Sequence, residues 1–370
     1  MTRSRSTVSV RTKRLFTLVA ASGLLAASAG VAQPAPADQA ASASPALASS
    51  SSSFETYKTW LAGRARAEGV SERTVAALAP LALNLRAIEL DRAQAPSPIR
   101  TAAATVDSSP PLQPYLRSHV TSSLIWRGQS RYYSLWPQLV QLQQRFGVDP
   151  ATLLAIYGKE TSYGFYTGNF DLLEALTSLA FEGRRRTMFE KEVLATLKLM
   201  DAGVPRERLK GSYAGATGYP QFMPTVVLRL RADGDGDGQS DIWSNEVDAL
   251  ASVANYFRNA GWKNGLPWGA PASVPASLDR SAIRSTDTDT RCPSVFRRHS
   301  RLLPVAEWQR LGVRPSKPLP ADALASLIEP QGPGEQPYLT TANYRVILSY
   351  NCSNYYATSV ALLSDAIARR

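Results

Sequence analysis

At 370 residues, 44% hydrophobic and 19% charged, the chain has the proportions of an ordinary globular protein, with room for one large domain or two small ones. Its formal net charge of +11 suits an anionic partner such as a cell-wall glycan or nucleic acid, with a merely soluble basic surface as the alternative. Two cysteines and two histidines make no metal-type cluster, which leaves a zinc site or a histidine-based triad poorly supported.

Residues 1–33 carry Arg3, Arg5, Arg11, Lys13 and Arg14, then an apolar run from Leu15 to Ala32. This is the pattern of a secretory signal peptide, with an uncleaved anchor as the weaker alternative. Ser22 and Gly23 interrupt the run, which is marginal for a spanning helix. No cysteine follows to carry a lipid, so the expected location is the periplasm. Losing those five basic residues lowers the charge from +11 to +6. Export argues against nucleic acid as the partner. It also favours pairing of Cys292 with Cys352, which would clamp the C-terminal segment to itself.

Residues 34–53 are rich in Ala, Ser and Pro and predict a disordered tether. A globular pattern begins at Phe54. Helices are predicted over 54–68 and 72–80, followed by a Pro/Ser/Thr-richer surface run over 85–113. Further helices are expected at 130–146, 149–161, 171–180, 187–201 and 245–260, with Gly and Pro in the gaps. After Trp262 prolines multiply and short β-type runs appear, such as Tyr344-Arg345-Val346-Ile347-Leu348. A last amphipathic helix covers 356–368. The fold class is mainly α (α+β): a helical body within 54–370, with a smaller mixed α/β lobe over 263–350. His119 and His299 are expected at the surface, and Arg184-Arg185-Arg186 as a solvated run.

The segment Gly158-Lys159-Glu160-Thr161-Ser162-Tyr163-Gly164 stands out chemically. The helix that precedes it starts at Asp149-Pro150, an N-cap followed by a good first helical residue. Glu160 shares a face with Leu153, Ile156 and Tyr157. A carboxylate on an apolar face is costly, and burial raises its pKa, as a general acid requires. The alternative is a helix-end glutamate paired with Arg or Lys. No second carboxylate is evident beside it, since Asp171 and Glu174 suit a cap or surface role on the next helix.

Two loops follow. Gly211-Ser212-Tyr213-Ala214-Gly215-Ala216-Thr217-Gly218-Tyr219-Pro220-Gln221-Phe222-Met223-Pro224 offers hydrogen-bonding and stacking groups in a glycine-rich frame; a plain packing loop is the alternative. Asp233, Asp235 and Asp237 with Gly238 follow the first half of an EF-hand loop. The Gln239 carbonyl would be the next ligand, and Asp241 follows. Ser244 stands where the bidentate glutamate belongs, leaving Glu246 or Asp248 to close the site. The competing reading is an Asp/Gly turn whose carboxylates cap backbone amides.

Taken in order, Gly158–Gly164, Gly211–Pro224, Asp233–Trp243, Asp248–Tyr256 and Tyr350-Asn351-Cys352-Ser353-Asn354-Tyr355-Tyr356 resemble the membrane-bound lytic transglycosylase B family, glycoside hydrolase family 103. Leu90-Asp91-Arg92-Ala93-Gln94 is similar too, and the resemblance spans about residues 54–368. It implies a lysozyme-like helical fold and cleavage of the MurNAc–GlcNAc bond of peptidoglycan without water. It further implies that Glu160 is a single catalytic acid/base. Ser212, Gln221, Asn351 and Tyr256 would line the substrate groove, with Phe189 and Tyr219 at nearby aromatic positions. Tyr163, Phe165 and Tyr166 are further aromatic candidates, for subsites or for core. Asp248 matches the residue that closes the site in calcium-binding relatives, so a structural Ca²⁺ is expected, with no cofactor for catalysis. The expected partners are peptidoglycan glycan strands, with cell-wall synthesis enzymes beside them, and the chain is expected to act as a monomer. Cys352 departs from the family pattern beside Asn351. A hydrolytic muramidase and a non-catalytic wall-binding scaffold are the competing functions.

Overall fold

The computed structural model describes residues 51–94, 111–287 and 292–369. The predicted signal segment and nearly all of the tether lie outside the described residues. Helices α1 (Ser51–Ala67), α2 (Leu85–Ala93), α3 (Leu112–His119), α4 (Ser122–Ser134), α5 (Trp136–Phe146), α6 (Pro150–Thr161), α7 (Leu172–Glu182), α8 (Arg186–Asp201), α9 (Pro224–Leu230) and α10 (Glu246–Asn259) form the body. Helices α11 (Ala342–Tyr350) and α12 (Asn354–Ala368) return to it after the lobe. Among the described residues no helix is long and apolar enough to cross a membrane.

The body has two apolar clusters. One gathers α5, α6, α10 and α12 around Leu142, Leu153, Phe257 and Val360. The other gathers α1, α7 and α8 around Tyr57, Leu176 and Leu197. Tyr256 and Tyr350 pack against both, so the seam between the clusters runs past them.

Several expectations change. The predicted 130–146 helix is two helices, broken at Leu135, with Pro137 in the first turn of α5, where its missing N–H costs nothing. The 85–113 run contains α2. Asn84 caps it by accepting from Ala87 N–H, and Ala87, Ile88 and Asp91 are buried. The guanidinium groups of Arg184 and Arg185 both donate to the Asp91 carboxylate, so the arginine run is not simply solvated: it secures α2 beside α7. The Tyr344–Leu348 run is helical rather than extended. The Thr341 hydroxyl accepts from Asn343 N–H at its start, and burial of Tyr344, Ile347 and Leu348 overrides their β-propensity.

The lobe holds an antiparallel sheet in the order β4-β6-β7-β3-β5, from β3 (Gly269–Ser273), β4 (Leu303–Pro304), β5 (Arg314–Pro315), β6 (Leu324–Ile328) and β7 (Tyr338–Thr341). Ile328 pairs with Tyr338, and Gly269 with Thr340. Its own core surrounds Trp308, while Trp268, Ile328 and Tyr338 belong to the body's first cluster. His299 is 2% exposed, a correction to its expected surface position. Its ring nitrogens lie 3.2 Å from Ser326 Oγ and 2.9 Å from Asn354 Oδ1, and burial pushes its pKa down to about 4, so it is a neutral core residue. Cys292 and Cys352 form a disulfide.

Candidate active site

Helix α6 is positioned before it is functional. Asp149 accepts from Ala151 and Thr152 N–H, Pro150 opens the helix, and residues 150–158 are all buried. The helix stops abruptly: Ser162 (φ 54°), Tyr163 (φ 62°) and Gly164 (φ 83°) are all left-handed. Two non-glycine residues in that region cost free energy, a cost borne where the surrounding structure fixes the turn. Tyr163 folds back over the helix and donates to Leu124 O at 2.9 Å. A Cβ on Gly158 would lie 2.5 Å from the Tyr163 ring, so glycine is required there. Arg131 supports the turn, reaching Tyr163 O at 3.5 Å while its Nε donates to Glu246 at 2.8 Å.

Glu160 is left partly exposed just before this turn. Burial pushes its carboxyl up to about 7, against the opposing influence of a hydrogen bond from Tyr356 and the charge of Lys159. Tyr356 OH donates to Glu160 Oε1 from the first turn of α12. Lys159, pushed down to about 8 by burial, donates to Tyr115 OH at 3.2 Å. The neighbouring acids are committed elsewhere. Asp171 caps α7 and pairs with Arg206, Glu174 accepts from Asn84, and Glu246 accepts from Arg131 and Tyr157. Among the described residues the site therefore presents one carboxyl with a near-neutral pKa.

Strands β1 (Phe170–Asp171) and β2 (Lys210–Gly211) lead into the glycine-rich loop. Thr217 and Phe222 exchange backbone hydrogen bonds at 2.9 and 3.0 Å, which folds the loop back on itself. Ser212 Oγ accepts from Ala216 N–H at 3.0 Å. Gln221 is left-handed (φ 51°), and its amide donates to Gly218 O and Thr167 O. Thr161 OH donates to Tyr219 O at 3.3 Å and Tyr350 OH donates to Pro220 O at 2.5 Å, so the end of α6, this loop and the 350–356 segment share one place. Asn351 lies in that segment, in the extended link between α11 and α12, where its carbonyl accepts from Ser353 N–H. Tyr256 OH donates to Ser349 O at 2.5 Å, and its ring packs edge-on to Tyr350.

Residues 53–365 match the family described as the transglycosylase SLT domain. The chain belongs to that family. Membrane-bound lytic murein transglycosylase B of Escherichia coli (strain K12) is 32% identical over 275 residues, 72% of each chain. The structure of SltB3 from Pseudomonas aeruginosa in complex with NAG-anhNAM-pentapeptide superposes with a TM-score of 0.74 and 33% identity, covering 85% of this chain and 80% of that one. The E. coli lytic transglycosylase Slt35 in complex with calcium gives 0.68 and 26%, covering 85% and 93%. The mainly helical, lysozyme-like architecture is thus that of a peptidoglycan lytic transglycosylase, an enzyme acting on glycan strands of the wall.

Two aromatic candidates of this transglycosylase are buried. Phe189 is 1% exposed, in the core beneath the Arg185 guanidinium, and Tyr163 is 5% exposed and spent on shaping the turn. Tyr219 is half-buried, tilted over Tyr157 with ring centroids 5.2 Å apart. Phe165 and Tyr166 are exposed. Sequence reasoning missed Tyr356 and Lys159 as neighbours of the carboxyl. Lys159 was legible as the adjacent residue, but nothing in the order of residues joins Tyr356 to a partner 196 positions away.

In the acidic loop, carboxylate oxygens of Asp233, Asp235 and Asp248 lie within 4.8 Å of one another. Asp237 is outside this group, and its carboxylate caps Gln239 N–H at 2.7 Å; both residues are exposed. Asp248 is buried, which with the charges of Asp235 and Asp233 holds its carboxyl above the usual range although Gly234 and Asp241 N–H donate to it. Converging hard oxygens with mutual repulsion fit a cation of the calcium type.

Proposed function

We propose that Glu160 is the single acid and base of the cleavage. The observation that carries this is a lone carboxyl held near pKa 7 beside a tyrosine donor, with the neighbouring acids paired elsewhere. A retaining or inverting hydrolase needs two carboxylates. Here the protonated Glu160 gives its proton to the glycosidic oxygen, and the C1–O bond breaks with the substrate's acetamido group assisting at C1. The carboxylate then takes the proton of the muramoyl C6 hydroxyl as that oxygen bonds to C1, which leaves a 1,6-anhydroMurNAc end and returns Glu160 to its starting state. Atoms balance without water, so the hydroxyl must be held close and water excluded. Ser212, Gln221, Tyr219, Tyr256 and Asn351 are the groups we assign to holding the glycan.

Glu160→Gln keeps the shape and removes the acid. Its release of anhydro-muropeptides from sacculi should fall by about 10³-fold, read by mass spectrometry, in which the anhydro product is one water lighter than a hydrolytic one. Turnover at the intact rate would remove Glu160 from this role.

We also propose a structural Ca²⁺ held by Asp233, Asp235 and Asp248, which tie the loop to the start of α10. When bound, it would neutralise their mutual repulsion and take no part in the proton transfers. At hundredfold excess over its Kd, Ca²⁺ should stabilise the protein by about 2.7 kcal/mol in thermal melts, an increment that Asp235→Ala removes. Export to the periplasm is supported by the basic and apolar N-terminal pattern and by the paired cysteines. Action as a monomer, with cell-wall synthesis enzymes as neighbours, is what we infer from the family resemblance.

A further inference from the structure

Helix α4 buries Gly128 and half-buries Leu124, Ile125 and Arg131, yet turns large aromatic side chains outward. Trp126 is 69% exposed and Tyr133 is 62% exposed. Seven residues apart, they fall on nearly the same side of the helix, about 10.5 Å from each other along its axis. Ser130, also exposed, lies between them on that side. Exposed apolar surface marks interaction sites where it is contiguous, and Tyr133 adjoins Tyr132, which packs on Trp136 with ring centroids 5.1 Å apart.

The spacing matches the substrate of this enzyme. A β-1,4-linked strand of amino sugars turns each ring over relative to the last, so equivalent ring faces recur once per disaccharide, close to the separation of Trp126 and Tyr133. Two flat side chains at that interval meet two equivalent sugar faces, and a hydroxyl between them meets the intervening ring. The face is also fixed to the site. Arg127 Nη1 on the same helix donates to Ser162 O at 3.3 Å, directly after the catalytic helix. Phe165 and Tyr166, just after that turn, are likewise 72% and 64% exposed. The chain's positive charge suits an acidic wall polymer.

We propose that the Trp126–Ser130–Tyr133 face of α4 is an accessory site for a β-1,4-linked amino-sugar strand, separate from the residues around Glu160. It holds the enzyme on insoluble wall while the groove cuts. The proposal rests on the glycan strand being the substrate.

The test uses the full chain carrying Glu160→Gln, so that the wall is not degraded. Co-sedimentation with purified sacculi is compared with and without Trp126→Ala/Tyr133→Ala, alongside vesicles of phosphatidylethanolamine and phosphatidylglycerol. Sacculus affinity should fall about tenfold, and Trp126→Phe/Tyr133→Phe should restore most of it. With Glu160 intact, the alanine pair should leave kcat/KM on a soluble tetrasaccharide muropeptide unchanged. Unchanged sacculus retention overturns the proposal. So does a parallel loss on the soluble substrate, which would place the face in the groove, or a loss confined to vesicles, which would make it a membrane contact. Failure of the intact enzyme to release anhydro-muropeptides would strike the substrate assignment instead.

Discussion

At the scale of single residues, the burial of Glu160 has a stability cost. Its carboxyl sits at about 7 in the folded chain against an ordinary 4.5. The folded state therefore binds more protons than the unfolded chain between those values, and stability falls as pH rises through that window, levelling above about 7. Glu160→Gln removes the titration. It should make the protein more stable by about 3 kcal/mol at pH 8 and leave it nearly unchanged at pH 4, as read by urea denaturation at both values. Equal stability at pH 8 would mean that the carboxyl is not held near neutrality. The position of Glu160 was legible from Leu153, Ile156 and Tyr157 because helical periodicity is local. Its partner Tyr356 was not, because a contact between α6 and α12 depends on the whole fold. His299 failed for the same reason: Ser326 and Asn354 make a buried imidazole tolerable, and neither is near it in sequence.

At the scale of elements, α6 and its turn behave as one unit. Gly158 and Gly164 admit the rings of Tyr163, Tyr157 and Tyr219 at distances no Cβ could share. Gly158→Ala should therefore destabilise the protein by about 2 kcal/mol through overpacking and lower turnover, since relief requires moving Tyr163 or the end of α6. Thermal melts and product release on one preparation check both. A neutral outcome would show that the turn is softer than its contacts imply. Helices with clear caps and regular apolar spacing, such as α6, α7 and α10, were legible almost to the residue, and α8 was legible from its apolar spacing alone. Helix α2 was obscured by Pro- and Ser-rich sequence after it. Helix α11 was obscured by Tyr344, Val346 and Ile347, whose local preference for strand loses to burial between lobe and body.

At the scale of the molecule, the Cys292–Cys352 bridge closes 60 residues of chain and joins the lobe to the link that carries Asn351. Replacing both cysteines by serine should cost about 4 kcal/mol in chemical denaturation, mainly through the freed unfolded chain. No loss would mean that the lobe is held by packing alone. Both the pairing and its place beside Asn351 were legible from two cysteines in a chain with a signal-like N-terminus. The sheet order carries one more consequence. Strands β3 and β7 open and close the lobe and are hydrogen-bonded neighbours, so the chain leaves the helical body and comes back to it at nearly the same spot. Topologically the lobe is an excursion from the body with adjoining ends. Cys292, His299 and Lys317 tie the lobe to Cys352, Asn354 and Asp365, so the lobe's loops clear of those contacts are the ones that can lengthen or shorten without shifting α12 against α6 and the surroundings of Glu160.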